Sequence, residues 1–134
     1  MPGLLVIAHA PLASALKAVA EHTFPNCAPQ LVVLDVLPDM DADAVEARAR
    51  VLMAERDHLD WLVLTDVFGA TPSNAAQRLI GDEGHVRTLS GVNVPMLWRS
   101  LCYANEPLAQ LAQRASQGGV QGQVLNDPAE STHP

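Results

Sequence analysis

Three short apolar runs, each followed by a helical pattern, limit what this chain can fold into. The runs are LLVIA at 4–8, LVVLDVL at 31–37 and WLVLTD at 61–66. After each run, apolar residues recur at helical spacing, as a helix with one buried face requires. Strands that are apolar throughout and separated by helices are typical of a parallel sheet covered on both faces. The sequence therefore predicts a doubly wound α/β domain with a mainly parallel sheet in the strand order 2-1-3-4.

The second half of the chain gives weaker signals. The stretch HVRTLSG at 85–91 predicts a fourth, less buried strand. Glycines are expected to end two helices, Gly81 the third helix and Gly118 with Gly119 the last one. The stretch VQGQVL at 120–125 predicts a short C-terminal strand.

Charge and hydropathy narrow the possible partners. Eight Lys and Arg residues against 15 Asp and Glu give a net charge of −7, which argues against a nucleic-acid surface. An acidic protein of this kind is better suited to small ligands or to basic protein partners. No apolar run approaches the roughly 20 residues of a membrane span, and the N-terminus does not resemble a signal peptide. We therefore expect a cytoplasmic protein without membrane insertion.

Two polar residues stand at the ends of apolar strands. His9 ends the first run and Asp66 ends the third. In the order 2-1-3-4 these two strands are neighbours about 5 Å apart, and ligands bind beyond the carboxyl ends of such strands. A carboxylate that accepts the proton of one imidazole nitrogen leaves the lone pair of the other nitrogen facing outward. The sequence thus predicts a hydrogen-bonded His9–Asp66 pair with a nucleophilic imidazole.

The stretch VFGATPSNAAQ after Asp66 supplies the third part of this predicted site. Gly69 permits a tight turn, and either Thr71 or Ser73 is expected to cap the next helix. Free N–H groups at the helix start would face the same region, where a phosphoryl group would sit. The predicted catalytic residues are His9 and Asp66. The predicted phosphoryl-binding residues are Gly69, Ala70, Thr71 and Ser73, with Phe68 as a wall of the site.

Each of these features also has an ordinary structural interpretation. A histidine at a strand end is often structural, a lone aspartate can cap a turn, and TPSN is a common helix start. Their joint placement at neighbouring strand ends is what favours a functional site. The other histidines, His22, His58, His85 and His133, show no metal spacing and are expected at the surface. Neither nucleotide-binding fingerprint is present, so no metal or cofactor is expected.

The segments VIAHAPLASAL, LTDVFGATPSNAA and SGVNVPMLW together resemble a known family. They are similar to the IIA domains of the mannose/fructose class of the bacterial phosphoenolpyruvate-dependent sugar phosphotransferase system. The resemblance implies that His9 is the phosphorylated histidine, Asp66 its paired acid and Thr71 a neighbour of the phosphoryl group. It also implies that GVNVPML at 91–97 lines the same face, which adds Asn93 to the wall of the site.

The resemblance also implies partners and a domain division. The phosphoryl donor would be the small histidine-containing phosphocarrier protein, and the acceptor a IIB component that serves sugar uptake. We expect a IIA-like phosphocarrier domain at 1–125 and a disordered tail at 126–134. The family resemblance further implies a homodimer in which VQGQV at 120–124 crosses to the partner's sheet.

Two departures from the family pattern affect docking more than chemistry. Many members carry glycine beside the active histidine and a Trp-Gly-Gly-Ser run after the aspartate. This chain has Ala8 and Ala10 around His9, and a Phe-Gly-Ala-Thr run at 68–71. Because Thr71 keeps a hydroxyl, we expect the chemistry to survive, whereas the resemblance does not determine the preference for a particular IIB partner.

Two other functions remain open from the sequence. The chain ends soon after the IIA-like region, which leaves a stand-alone regulatory IIA protein as an alternative, its phosphorylation state controlling the binding of partner proteins. A receiver-type domain phosphorylated on Asp66 is the other alternative. Receiver chemistry needs Mg²⁺ held by further carboxylates near the first strand's end, and the sequence AHAP there contains no acid.

Overall fold

A computed structural model describes residues 1–128 of the chain and shows a four-stranded, all-parallel sheet in the order β2-β1-β3-β4. The predicted α/β class, strand order and fourth strand are confirmed. The predicted tail at 126–134 falls mainly on residues 129–134, which lie outside the described residues. The strands are β1 (Gly3–His9), β2 (Leu31–Val36), β3 (Trp61–Thr65) and β4 (Val86–Leu89).

Five α-helices and a short 3₁₀ turn (Ala28–Gln30) connect or follow the strands within the described part of the chain. Helices α1, α4 and α5 pack on one face of the sheet, while α2 and α3 pack on the other. None of these helices is long and apolar enough to span a membrane. The helices are α1 (Leu12–Thr23), α2 (Ala42–Ala54), α3 (Thr71–Gln77), α4 (Val94–Cys102) and α5 (Leu108–Gln121).

Strand β1 lies at the centre of the molecule and is buried from Gly3 to Ala8. Alternate residues point to opposite faces, so Val6 belongs to the core under α1 while Ile7 belongs to the core under α3. Burial of one such aliphatic side chain stabilises the fold by about 1.5–3 kcal/mol. The register pairs Ile7 with Thr65 of β3 and His9 with Val36 of β2. His9 therefore stands at the carboxyl edge of the sheet, between two neighbouring strands.

The C-terminal region differs from the sequence prediction. Helix α5 continues through Gly118 and Gly119 to Gln121, so the prediction that these glycines end it is wrong. Both glycines instead permit close packing against α4: a Cβ on Gly118 would lie 2.2 Å from Cγ of Arg99. Because 120–121 is helical and 122–125 has no regular structure, the predicted strand at 120–125 does not form within this chain. Its exchange with a second copy stays a prediction.

Helix α3 is shorter than predicted. It ends at Gln77 and does not reach Gly81, so the expected glycine C-cap is wrong. The N–H groups of Arg78, Leu79 and Ile80 bond to carbonyls three residues earlier. This tightened turn satisfies the last carbonyls of the helix without a glycine.

Candidate functional site

The carboxyl ends of β1 and β3 bring His9 and Asp66 into contact. The Nδ1 atom of the His9 imidazole lies 2.6 Å from Oδ2 of Asp66, and the backbone N–H of His9 donates to the same oxygen at 2.9 Å. The Asp66 side chain is 13% exposed, whereas the His9 side chain is 53% exposed. The predicted contact is therefore present, with the acid mostly covered and the imidazole open to solvent.

Hydrogen bonds determine the charge of Asp66. Burial alone would raise the pKa of its carboxyl group, but the pKa is lowered overall by bonds from the backbone and ring of His9 and from the Val67 backbone N–H. The Val67 bond to Oδ1 is 2.8 Å long. Asp66 is thus ionised at neutral pH and can only accept hydrogen bonds. The neutral imidazole of His9 therefore carries its proton on Nδ1 and its lone pair on Nε2.

The turn after His9 is held by β2. The Ala10 N–H donates to the Val36 carbonyl at 2.9 Å. Ser14, in the first turn of α1, donates its backbone N–H at 3.1 Å and its hydroxyl to the carboxylate of Asp35. The role of Asp35 at this turn was not predicted from the sequence. The available signal was an acid inside LVVLDVL, an otherwise apolar strand.

The loop between β3 and α3 places the predicted phosphoryl-binding residues at the same sheet edge as Asp66. Gly69 has a φ of +91°, which explains why the turn favours glycine. Ala70 holds the N-cap position of α3 and no side chain accepts a hydrogen bond there. The prediction that Thr71 or Ser73 caps this helix is therefore wrong, because Thr71 is already the first residue of the helix and the N-cap position lies one residue earlier.

Ser73 and Phe68 border a small cavity whose lining includes neither His9 nor Asp66. The cavity has a volume of about 220 Å³ and lies between α3 and the ends of β3 and β4. Ser73 is buried in its lining, while Phe68 is 74% exposed. Within residues 1–128 no hydrogen bond joins the side chain of Thr71 or Ser73 to His9 or Asp66, so their contact with a phosphoryl group stays a prediction. The lining residues are Thr65, Phe68, Ser73, Gln77, Thr88, Leu89 and Ser90.

The loop after β4 is attached to the backbone that carries Asp66. The Gly91 N–H donates to the Asp66 carbonyl at 3.1 Å, and the Val92 N–H donates to the Thr65 carbonyl at 2.9 Å. Asn93 caps α4 by accepting from the Met96 N–H at 2.9 Å, and its Nδ2 donates to the Gly119 carbonyl at 3.0 Å. Since both polar ends of the Asn93 side chain are already used, its role as a wall of the site stays a prediction.

Among residues 1–128, the other histidines make no hydrogen bond to His9 or Asp66. His85 bonds to Asp60 at 2.8 Å and to Glu83 at 3.2 Å, at the amino ends of the strands; the Asp60 bond is the main cause of its raised pKa. His58 bonds to the Met1 carbonyl. His22 is exposed, and His133 lies outside the described residues. Across residues 1–128 no cluster of three or more His, Cys, Asp or Glu side chains is suited to a metal ion.

Comparison with known proteins identifies similar sequences. Residues 3–115 match the family described as PTS system fructose IIA component. The PTS system mannose-specific EIIAB component of Escherichia coli K12 is 29% identical over 107 residues. That alignment covers 75% of this chain but 33% of the relative, so the chain spans about a third of the length of the curated relatives it matches.

Solved structures share the fold at low sequence identity. The phosphotransferase system component EIIA from Streptococcus agalactiae superposes with a TM-score of 0.85 at 22% identity, covering 93% of this chain and 97% of the other. The mannose/sorbose specific IIA subunit from Enterococcus faecalis gives a TM-score of 0.85 at 21% identity, covering 94% and 95%. These two structures have the same α/β architecture over nearly their whole length.

Proposed function

Because this chain belongs to the PTS system fructose IIA component family, we propose that it carries a phosphoryl group on His9. As a IIA component it takes part in the sugar phosphotransferase system, whose chemistry is phosphoryl transfer. The proposal adds a donor and an acceptor. The histidine-containing phosphocarrier protein donates the group, and a IIB component receives it for sugar uptake.

The 2.6 Å contact between His9 Nδ1 and Asp66 is the observation that carries this proposal. It leaves Nε2 of an exposed imidazole as the nucleophile. The Nε2 lone pair forms a bond to phosphorus while the phosphorus–nitrogen bond of the donor breaks, and the donor imidazole leaves with that electron pair. His9 then carries a positive ring with a proton still on Nδ1, which the Asp66 carboxylate stabilises. The reverse sequence delivers the group to the acceptor.

The loop after Asp66 would hold the phosphoryl oxygens in this scheme. Gly69, Ala70, Thr71 and Ser73 are its proposed ligands, through backbone N–H groups and hydroxyls. In the part of the chain that the structure describes, no side-chain cap occupies the N–H groups of Thr71 and Ser73 in the first turn of α3, which leaves them available to an incoming anion.

Exposed apolar side chains around His9 support docking of protein partners. They follow directly on the strand ends and on the turn after His9, and large exposed apolar groups commonly mark protein interfaces. Donor and acceptor must both bring a phosphorylated or reactive side chain to Nε2, so both would use this rim. The residues, with their exposed fractions, are Leu12 (37%), Leu37 (51%), Val67 (50%) and Phe68 (74%).

The domain at 1–125 is proposed to act as a cytoplasmic homodimer. Within the described residues, strand β4 has one neighbour in the sheet, so its outer edge is open there to pairing with another strand. Residues 120–124 of a second copy would pair with that edge, which requires the last residues of α5, 120–121, to become extended. Equilibrium sedimentation should give twice the chain mass of 14.3 kDa.

The test is incubation of the purified protein with the general phosphotransferase enzymes and labelled phosphoenolpyruvate. The label should be lost in acid and kept in alkali, as expected of a phosphohistidine. His9→Ala should take no label, whereas His22→Ala, which removes an exposed histidine of α1, should take it normally. A folded protein without label, or a labelled His9→Ala variant, would contradict the proposal. Label that no IIB component accepts would favour the regulatory alternative.

A further inference from the structure

We propose that Asp35 is a positioning residue for the reaction at His9, because it holds the first turn of α1 against the edge of the sheet. This inference rests on the proposed phosphoryl transfer for its kinetic consequence. The contact of Asp35 with Ser14 is present whether or not a phosphoryl group is transferred, so its loss should also be visible in the spectrum of the His9 ring.

Asp35 occupies a position where an apolar residue is expected. In β2 it lies between buried Leu34 and Val36 and pairs in register with Ala8, the residue before His9. By the alternation of the strand it shares a face with Leu31 and Val33, which belong to the core under α1. A half-buried carboxylate at such a position is costly unless it is hydrogen-bonded.

Within residues 1–128, the side chain of Asp35 accepts hydrogen bonds at the start of α1. Oδ1 accepts the backbone N–H of Ser14 at 3.1 Å, and Oδ2 accepts its hydroxyl. The N-cap position of this helix is Pro11, which makes no side-chain hydrogen bond to the helix. The carboxylate of Asp35, in β2, therefore caps α1 by accepting an N–H of its first turn, a bond that a Ser or Asp at the N-cap position commonly makes.

This cap acts on His9 because the connection is short. Only Ala10 and Pro11 separate β1 from α1, so a shift of the first helical turn is transmitted to the end of the strand. The turn is held at three points: His9 by Asp66, Ala10 by the Val36 carbonyl, and the helix start by Asp35. Removal of the third point leaves the imidazole less restricted relative to the Asp66 carboxylate.

The experiment compares Asp35→Ala with wild type in two measurements. The first is the rate of His9 phosphorylation by the labelled phosphocarrier, which we expect to fall about 10- to 100-fold when the nucleophile is misplaced. The second is the ¹⁵N spectrum of the His9 ring, which reports its tautomer. We expect the share of the Nδ1–H tautomer to fall in Asp35→Ala. Asp35→Asn should restore both, since an amide can accept from the Ser14 N–H and donate to its hydroxyl.

The matched control is Asp41→Ala, which removes a cap of the same kind from a helix that does not follow directly on His9. Asp41 accepts the Ala44 N–H at 2.8 Å at the start of α2. It should lower the thermal unfolding temperature as much as Asp35→Ala does, yet leave the transfer rate and the His9 spectrum unchanged. An equal loss of rate in both variants would assign the effect to stability and overturn the proposal.

Two further outcomes are decided by the spectrum. If wild type takes no label, the proposed function fails, and an unchanged His9 spectrum in Asp35→Ala then overturns the positioning role too. If Asp35→Ala does not fold, Ser14→Ala removes one of the two bonds and should shift the spectrum in the same direction to a smaller extent. A wild-type spectrum in Ser14→Ala would then overturn the positioning role.

Discussion

At residue 66 one carboxylate accepts three hydrogen bonds, two from His9 and one from the Val67 backbone. It therefore fixes both the position of the His9 ring and the nitrogen that carries the proton. An amide in its place offers an N–H₂ group that favours the opposite tautomer. We predict that Asp66→Asn slows His9 phosphorylation by about 100-fold or more, as tautomer loss does in other histidine enzymes. Labelling at saturating donor measures this, and a loss of less than tenfold would contradict it.

Asp66 should also affect how the free energy of unfolding changes at acid pH. The pKa of Asp66 in the folded protein lies below its ordinary value of 3.8, so the ionised form stabilises the fold. That contribution is fully present above the unfolded pKa and is lost as the pH falls through the lowered folded pKa. Asp66→Asn should therefore make the free energy of unfolding less dependent on pH below about 4. Urea unfolding of both proteins at a series of pH values from neutral to strongly acid tests this. The same pH dependence of the free energy of unfolding in Asp66→Asn and wild type would contradict it.

Among the elements, helices α4 and α5 pack closely because the glycines of α5 that face α4 have no side chain. A Cβ on Gly118 would lie 2.2 Å from Cγ of Arg99 and 3.2 Å from the Pro95 carbonyl. Alanine would gain about 1 kcal/mol of helix propensity, but overpacking typically costs about 1–3 kcal/mol. Neither Arg99 Cγ, which lies next to its own backbone, nor the Pro95 carbonyl can swing away as a side-chain tip can, so the overpacking cost should lie in the upper part of its range. We therefore predict that Gly118→Ala lowers the free energy of unfolding by about 1–2 kcal/mol.

The control for this prediction is Gly81→Ala, at a glycine between α3 and β4. Gly81 has open space around its would-be Cβ and no positive φ. Its substitution should change the free energy of unfolding by less than about 0.5 kcal/mol. Equal stability of the two variants in urea titrations would show that α4 and α5 can separate slightly at no cost.

For the whole molecule, the net charge of −7 should govern the approach of partners. An acidic protein attracts a basic docking face over distances of about one Debye length, which is roughly 10 Å at 0.1 M salt. We predict that the second-order rate of phosphoryl transfer falls several-fold between low and high salt. The single-turnover rate at saturating donor should stay constant, because salt weakens encounter and not chemistry. A second-order rate that does not depend on salt would contradict this.

The sheet, and the edge at which His9 and Asp66 meet, could be predicted from the sequence. Apolar runs and helical spacing are local patterns, and parallel strands joined by helices place their carboxyl ends together. For this reason the contact between His9 and Asp66 could be predicted although the two residues are 57 positions apart. The helix start after Gly69 followed from local turn chemistry for the same reason.

The features that could not be predicted depend on contacts between residues distant in sequence. Gly118 and Gly119 have the composition of a helix end, but contact with Arg99 and Met96 makes them packing residues inside α5. Ala70 takes the N-cap position because of the path of the β3–α3 loop, although Thr71 has the better side chain for it. Asp35 is an isolated acid in the sequence. Its role depends on Ser14, 21 positions away, and a helix start is brought to a strand only when the chain folds.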